Sequence, residues 1–169
     1  MKKIFLIFII YFISLNSSKA LIEVDITRGN LDPLPIAVSP LHVDIKSEEY
    51  EGLKIKELGS NISKIIERNF KSTGLFNPLA KEAFVQKPDI AHLKPRFEDW
   101  RLIKAQALVT GKLLVKDGKL KIEFRLWDLS AAKEMTALAF TTTPSNWRRV
   151  AHIISDKIYE RLTGEEGYF

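Results

Sequence analysis

The chain has 169 residues, of which 46% are hydrophobic and 28% are charged, with a formal net charge of +5 and no cysteine. This length suits one compact domain, since domains commonly contain about 100–200 residues. The hydrophobic content is that of an ordinary globular protein and argues against disorder. The lack of cysteine excludes disulfide frameworks, thiol nucleophiles, thiolate zinc sites and iron–sulfur clusters.

The first twenty residues have the pattern of a bacterial secretory signal peptide. Lys2 and Lys3 precede ten uninterrupted apolar residues at 4–13, and a polar stretch follows that ends in Ala20. A transmembrane helix needs about 20 apolar residues, so this run is too short for a permanent anchor. We expect cleavage after Ala20 and export to the periplasm. The mature chain, which begins at Leu21, is not expected to be embedded in a membrane.

Residues 22–27 predict a half-buried strand at the start of the mature chain. Apolar and polar residues alternate across this segment, which is the period of two of a strand. The break at residues 28–30 leaves the strand as an edge or a free arm. Residues 36–38 predict a short buried strand, and residues 44–56 predict a loop or a frayed helix start.

Two longer segments have the apolar periodicity of helices. Residues 58–74 predict an amphipathic helix, with Ser60 as its N-cap and Gly74 at its end. Residues 144–163 predict the closing helix, with a proline in the first turn and Gly164 as the C-cap. Each helix has one apolar face that must be buried against a core.

A short helix at residues 97–103 precedes three apolar-rich runs that predict strands at 107–115, 120–128 and 135–142. Asp117-Gly118 suits a two-residue type I′ hairpin between the first two strands. These elements predict an α/β (α+β) fold. We expect a two-layer sandwich in which a mixed, largely antiparallel sheet is packed by two long helices plus a short one.

The sequence gives little support for a cofactor or a metal. No phosphate-binding loop and no GxGxxG motif occurs in it. His42, His92 and His152 are far apart and share no ligand spacing, which predicts loop or helix-surface histidines. We therefore expect no cofactor, no metal site and no catalytic residue.

One alternative is a secreted serine hydrolase-like enzyme. Ser130-Ala131-Ala132-Lys133 matches the SxxK motif of penicillin-interacting serine enzymes. That motif requires a helix that starts at the serine, so that the lysine lies one turn further along. Here the motif lies between two strand-like runs. The enzyme hypothesis predicts a strained Ser130 in a pocket beside Lys133.

A second alternative is a small nucleic-acid-binding α/β module. Basic residues gather on the predicted hairpin and in the last helix, at Lys112, Lys116, Lys119, Lys121, Arg148 and Arg149. A nucleic-acid face usually needs a larger charge excess and exposed aromatic residues. Export also argues against this function, so we expect no nucleic-acid partner.

The predicted amino-terminal arm favours a binding function instead. An extended, alternating segment at a free end can add its backbone to the open sheet edge of another protein. The main-chain hydrogen bonds would supply affinity, and the alternate side chains would supply selectivity.

Several blocks of the mature chain, in order, resemble the amino-terminal domain of the TolB family. They are IEVDITRG (22–29), PIAV (35–38), KSTGLFNP (71–78), DWR and ALVTG (99–111), DGKL (117–120), EFRLWD (123–128) and the segment at 148–165 that begins RRVAH. The blocks cover essentially the whole mature chain.

This resemblance implies a non-enzymatic periplasmic adaptor of the Tol-Pal system, which maintains the outer membrane and helps it constrict at cell division. In the family, the extreme amino terminus binds the carboxy-terminal domain of the inner-membrane protein TolA. By position, the TolA-binding residues here would be Leu21, Ile22, Glu23, Val24, Asp25, Ile26, Thr27, Arg28 and Gly29.

The resemblance also implies a domain organisation. We expect a signal peptide at 1–20, a partner-binding arm at 21–30 and the α/β domain at 31–166. Family members continue into a six-bladed β-propeller that binds the lipoprotein Pal, and this sequence ends at Phe169, where the propeller would begin. Pal binding is therefore expected only of a longer protein that carries the propeller. We expect a monomer.

Overall fold

The computed structural model describes residues 22–24 and 32–169 of the chain. The expected signal peptide lies outside the described residues, and so do Leu21 and positions 25–31 of the predicted arm. None of the helices in the described ranges combines the length and the apolar character that a membrane span requires.

Six strands and four α-helices make up the described fold. In chain order they are β1 (Leu34–Val38), β2 (His42–Val43), α1 (Ile55–Thr73), β3 (Phe76–Pro78), α2 (Pro88–Ala91), α3 (Phe97–Leu102), β4 (Ala107–Lys116), β5 (Lys119–Asp128), β6 (Lys133–Thr142) and α4 (Trp147–Thr163). Short 3-10 turns at Lys81–Ala83 and Pro144–Asn146 precede α2 and α4.

The strands form one mixed sheet in the order β3-β1-β4-β5-β6. Strand β1 pairs in parallel with both β3 and β4, whereas β4, β5 and β6 form an antiparallel meander. The two-residue strand β2 continues the line of β1 along β4, opposite Lys112 and Leu113. The predicted mixed, largely antiparallel sheet is thereby confirmed.

The turn between β4 and β5 has the predicted type I′ geometry. Asp117 and Gly118 both have positive φ, at 50° and 66°, as this turn requires. Its backbone twist matches that of the flanking strands, so the turn sets the register of the ten-residue pairing between β4 and β5.

The main core lies between one face of the sheet and the two long helices. Alternate residues of β5, from Leu120 to Leu126, point into it, and they meet the apolar faces of α1 and α4. The opposite face of β1 and β4 carries a second, smaller cluster that includes Trp100 and Trp127. The short helices α2 and α3 cover this cluster, and the indole of Trp100 donates to Gln86 Oε1 at 2.9 Å.

Several predicted boundaries differ from the structure, among them the starts of β1 and α4, which lie at Leu34 and Trp147. Helix α1 begins at Ile55 rather than Leu58, because Ile55 is buried and extends the apolar stripe by one turn. Ser60 therefore lies inside the helix and is not its N-cap. Strand β6 begins two residues before the predicted position. Strand β3 was not predicted, because its three residues are too few for a periodic signal.

Helix α1 passes unusually close to the connection between β1 and β2. A Cβ atom at Gly59 would overlap the carbonyl oxygen of Leu41. The backbones are joined at this point, because Leu41 N donates to Gly59 O at 3.3 Å. Glycine is the only residue that permits this contact, and the contact holds the helix against the strand connection.

We expect Gly59→Ala to lower the free energy of unfolding by about 1–3 kcal/mol or more, because the added methyl group forces two backbones apart. Urea unfolding measures this loss. Ser60→Ala, one residue further along the helix, is the control and should change stability by less than about 0.5 kcal/mol. A comparable loss in both variants would contradict the close contact between the two backbones.

Candidate functional site

The described part of the amino-terminal arm lies against the body of the domain. Ile22 N donates to Asp128 Oδ2 at 2.9 Å, and Val24 N donates to Leu162 O at 2.7 Å. The side chains of Ile22 and Val24 are half-buried against the core, whereas Glu23 is exposed. Apolar and polar residues thus alternate between core and solvent, as the sequence predicts.

The predicted strand at 22–27 is not present in its described portion. Residues 22–24 pair with no strand. The N–H group of Ile22 bonds to a side-chain carboxylate instead, and that of Val24 bonds to a helix carbonyl. The remaining positions of the predicted strand lie outside the described residues.

Asp128 holds the arm through a buried carboxylate. It is the last residue of β5 and is 0% exposed. Its Oδ1 atom accepts a hydrogen bond from Ala131 N at 2.8 Å, and its Oδ2 atom accepts the bond from Ile22. Desolvated carboxylate oxygens that lack donors are costly. Asp128 therefore ties the arm to the turn between β5 and β6.

Leu162 holds the arm through the end of a helix. It lies in the last turn of α4, where carbonyl groups have no partner within the helix. The left-handed Gly164 ends the helix and donates to Glu160 O at 2.9 Å. Val24 N–H supplies the donor for the neighbouring Leu162 carbonyl. The arm thus completes the hydrogen bonding of the α4 terminus.

A groove of about 490 Å³ lies beside the arm, between β6 and the end of α4. Glu23, Thr136 and Leu138 line it together with the basic residues Lys157 and Arg161. The Lys157 ammonium donates to Glu160 Oε2 at 2.7 Å, and this bond raises the pKa of Lys157. The groove therefore has charges of both signs beside Glu23, the exposed residue of the described arm.

The docked arm uses groups that strand addition also needs. Ile22 and Val24 are two positions apart, so their N–H groups point to the same side of an extended segment. The body occupies that side. A partner strand that pairs through the same side must therefore displace Asp128 and the Leu162 carbonyl.

The SxxK fragment lacks the geometry of a serine hydrolase. Ser130 lies in the turn between β5 and β6, and Lys133 is the first residue of β6, so no helix starts at the serine. Ala132 has the positive φ in this turn, and Ser130 does not have one. Arg101 covers the turn by donating to Leu129 O at 2.6 Å. The enzyme alternative gains no support here.

The predicted basic cluster on the hairpin is partly neutralised. The ammonium groups of Lys112 and Lys121 lie 3.6 Å and 2.8 Å from the carboxylate of Glu123. The hydrogen bond from Lys121 is the main cause that lowers the pKa of Glu123. Arg148 stacks on the ring of Trp147 at 4.3 Å. These local pairs do not favour a nucleic-acid face.

Two of the three histidines form a pair that sequence spacing does not reveal. The rings of His42 and His92 stack at 4.4 Å with an angle of 4° between their planes, although fifty positions separate them. His152 lies elsewhere and contacts Asn69. Within residues 22–24 and 32–169, no group of three or more His, Asp or Glu side chains is placed to hold a metal.

Charged groups surround the stacked pair on several sides. Burial, followed by the neighbouring His92, lowers the pKa of His42 below its usual 6.5, and the charge of Lys112 adds to this effect. The carboxylates of Asp44 and Asp89 oppose it. On the other side, Arg125 Nη1 donates to His92 O at 3.3 Å. The folded protein therefore disfavours a charge on His42.

We expect the free energy of unfolding to decrease as the pH falls below about 6.5, because the unfolded chain takes up a proton at His42 before the folded chain does. His42→Gln should make this decrease smaller between about pH 7.5 and about pH 5.5. Urea unfolding at both pH values measures the difference. Equal losses in the parent protein and the variant would contradict the lowered pKa.

We expect Asp128→Asn to loosen the arm, because one of the two acceptor oxygens becomes a donor that faces an N–H group. Amide hydrogen exchange at Ile22 and Val24 should become faster, and stability should fall by about 1–3 kcal/mol. The exposed Asp32, changed to Asn, serves as the control. Unchanged exchange at Ile22 in the Asp128 variant would show that the carboxylate does not hold the arm.

One known protein family matches most of the chain. A model of the TolB amino-terminal domain matches residues 22–135. The Tol-Pal system protein TolB of Pelagibacter ubique (strain HTCC1062) is 66% identical over 165 residues, which cover 96% of this chain and 37% of that protein. The chain thus spans little more than a third of the length of this curated relative.

Solved structures with a similar fold include two from other bacteria. The crystal structure of TolB from Acinetobacter baumannii has a TM-score of 0.63 and 20% identity, over 80% of this chain and 30% of that one. The hypothetical protein CT253 from Chlamydia trachomatis has a TM-score of 0.54 and 12% identity, over 79% of this chain and 100% of that one. At these identities the similarity shows the fold alone.

Proposed function

The chain belongs to the TolB amino-terminal domain family, and from this membership we propose that it is a non-enzymatic adaptor domain of the Tol-Pal envelope system. The observation that carries the proposal is the family match, which begins at residue 22 and so includes the arm. The relative that is 66% identical bears the name of the same system. We place the domain in the periplasm, behind a signal peptide that ends at Ala20.

The partner that we propose for the arm is the carboxy-terminal domain of TolA. Residues 21–29 would pair with it as an added strand, and Ile22, Val24 and Ile26 would supply the apolar anchors. The alternation of half-buried Ile22 and Val24 with exposed Glu23 supports this function. A longer protein with a propeller would bind Pal through that propeller, which is outside this chain.

The body would hold the arm in its docked position while no partner is bound. One hydrogen bond to a side-chain carboxylate, one to a backbone carbonyl and two half-buried side chains hold the described portion. The bond to the Leu162 carbonyl contributes about 0.5–1.5 kcal/mol net and the bond to the Asp128 carboxylate about 1.5–3 kcal/mol. Release of the arm therefore costs less than unfolding of the domain, which takes about 5–15 kcal/mol. An adaptor needs this balance, because its arm must be ordered when it is idle and available when the partner arrives.

We expect the protein that begins at Leu21 to bind the TolA carboxy-terminal domain of the same organism, and a protein without residues 21–29 to lose that binding. Val24→Lys should weaken binding by about tenfold or more, since it removes an apolar anchor. Isothermal titration calorimetry measures both effects.

Two controls make this experiment decisive. Glu23→Gln changes a side chain of the arm that already faces solvent, and its affinity should stay within about twofold of the parent. Circular dichroism should show that the truncated body remains folded. Full affinity in the folded, truncated body would rule out the arm as the TolA-binding segment.

A further inference from the structure

A second groove lies near the β3 edge of the sheet, the opposite edge from β6. It has a volume of about 470 Å³ and is formed by α1 and by the segment that follows β3. Lys64, Arg68 and Lys71 line one wall, and Lys81 lies on the other. The groove is therefore rich in positive charge.

The three basic residues of α1 form one stripe along the helix. They are four and three positions apart, so they project from the same face and span about 10 Å along the axis. All three side chains are exposed, and the salt bridges among the described residues include none of them. Like charges at such spacing weaken a helix, whereas Glu67 on the same face attracts Lys64, whose charge opposes the rise in the pKa of Glu67.

The helix dipole accounts for only one of these charges. Lys71 lies in the last turn of α1, where a cation is favoured by the partial negative charge of the helix end. Lys64 and Arg68 precede that turn, and the dipole effect falls off within it. The helix dipole therefore does not account for these two residues.

Lys81 is held in place across the groove. Its ammonium donates to Ser63 Oγ at 2.9 Å and lies 3.1 Å from Glu67 Oε1. Burial raises the pKa of the Glu67 carboxyl, and the nearby Lys81 opposes this shift. Glu67 thus compensates Lys81 inside the groove. Glu82 is the other acidic residue of the lining, so two positive charges remain in excess.

We propose that this groove binds an extended acidic peptide segment of a partner protein. The cations of the stripe are about 6 Å and 4.5 Å apart along the helix axis. Carboxylates on alternate residues of an extended peptide are about 6.6 Å apart, which is close to the spacing of Lys64 and Arg68 and wider than that of Arg68 and Lys71. The planar guanidinium of Arg68 can also hold one carboxylate through two hydrogen bonds. This site is independent of the arm and of TolA.

The location of the groove makes it compatible with the arm. The arm docks on the end of β5 and on the end of α4, whereas the groove belongs to α1 and the β3 edge. The domain can therefore hold one partner through its arm and an acidic segment through its opposite side.

The test is a titration of the full chain against a fluorescent peptide with glutamate at alternate positions, at low and at physiological ionic strength. We expect binding that weakens as salt is added. Changing Lys64, Arg68 and Lys71 together to Gln should weaken it by about tenfold, since three exposed charge pairs are lost. Glu67→Gln should strengthen it, because Lys81 then becomes free to pair with the peptide.

The matched control changes three exposed lysines near the hairpin, Lys46, Lys116 and Lys119, to Gln. The net charge falls by the same amount, and affinity should stay within about twofold of the parent. Equal weakening in both triple variants would overturn the proposal, as would no binding by the parent at low salt. Binding of anionic phospholipid vesicles through the stripe, without peptide binding, would also overturn the proposal and would indicate that the ligand is a membrane surface.

Discussion

The register of the β4–β5 hairpin is the constraint on which the rest of the domain depends. The type I′ turn at Asp117 and Gly118 sets this register, and a slip of one residue would turn every side chain of β5 to the opposite face. In the correct register, alternate residues of β5 lie beneath the two long helices. The same register places Asp128 at the buried end of the strand, ten positions after Gly118, where its carboxylate receives the arm.

The arm and the basic groove lie on opposite sides of the domain and depend on different kinds of interaction. The arm satisfies groups that the fold leaves without partners, namely one oxygen of Asp128 and one carbonyl at the end of α4. These groups order the described part of the arm against the body. The groove instead depends on exposed charges of α1, whose attraction extends into solvent and is reduced by salt.

Sequence patterns predicted the elements with strong periodicity and missed those that depend on contacts distant in the chain. The amphipathic stripes of α1 and α4 and the Asp117-Gly118 turn are confirmed. The start of α1 was placed one turn late, since charged residues surround the buried Ile55. The stack of His42 on His92 has no local signal. The SxxK fragment was a coincidence of spacing in a hairpin turn, where no helix brings its two ends together.

The sequence by itself determined the fold class, the apolar faces and the family, because periodicity and turn chemistry act over neighbouring residues and because the matching blocks occur in order. Only the tertiary structure decided where the arm docks, since Asp128 and Leu162 meet residues 22–24 across more than a hundred positions. It also decided that Lys81 faces the basic stripe of α1. Such contacts depend on how the sheet and helices pack together, and no spacing along the chain encodes them.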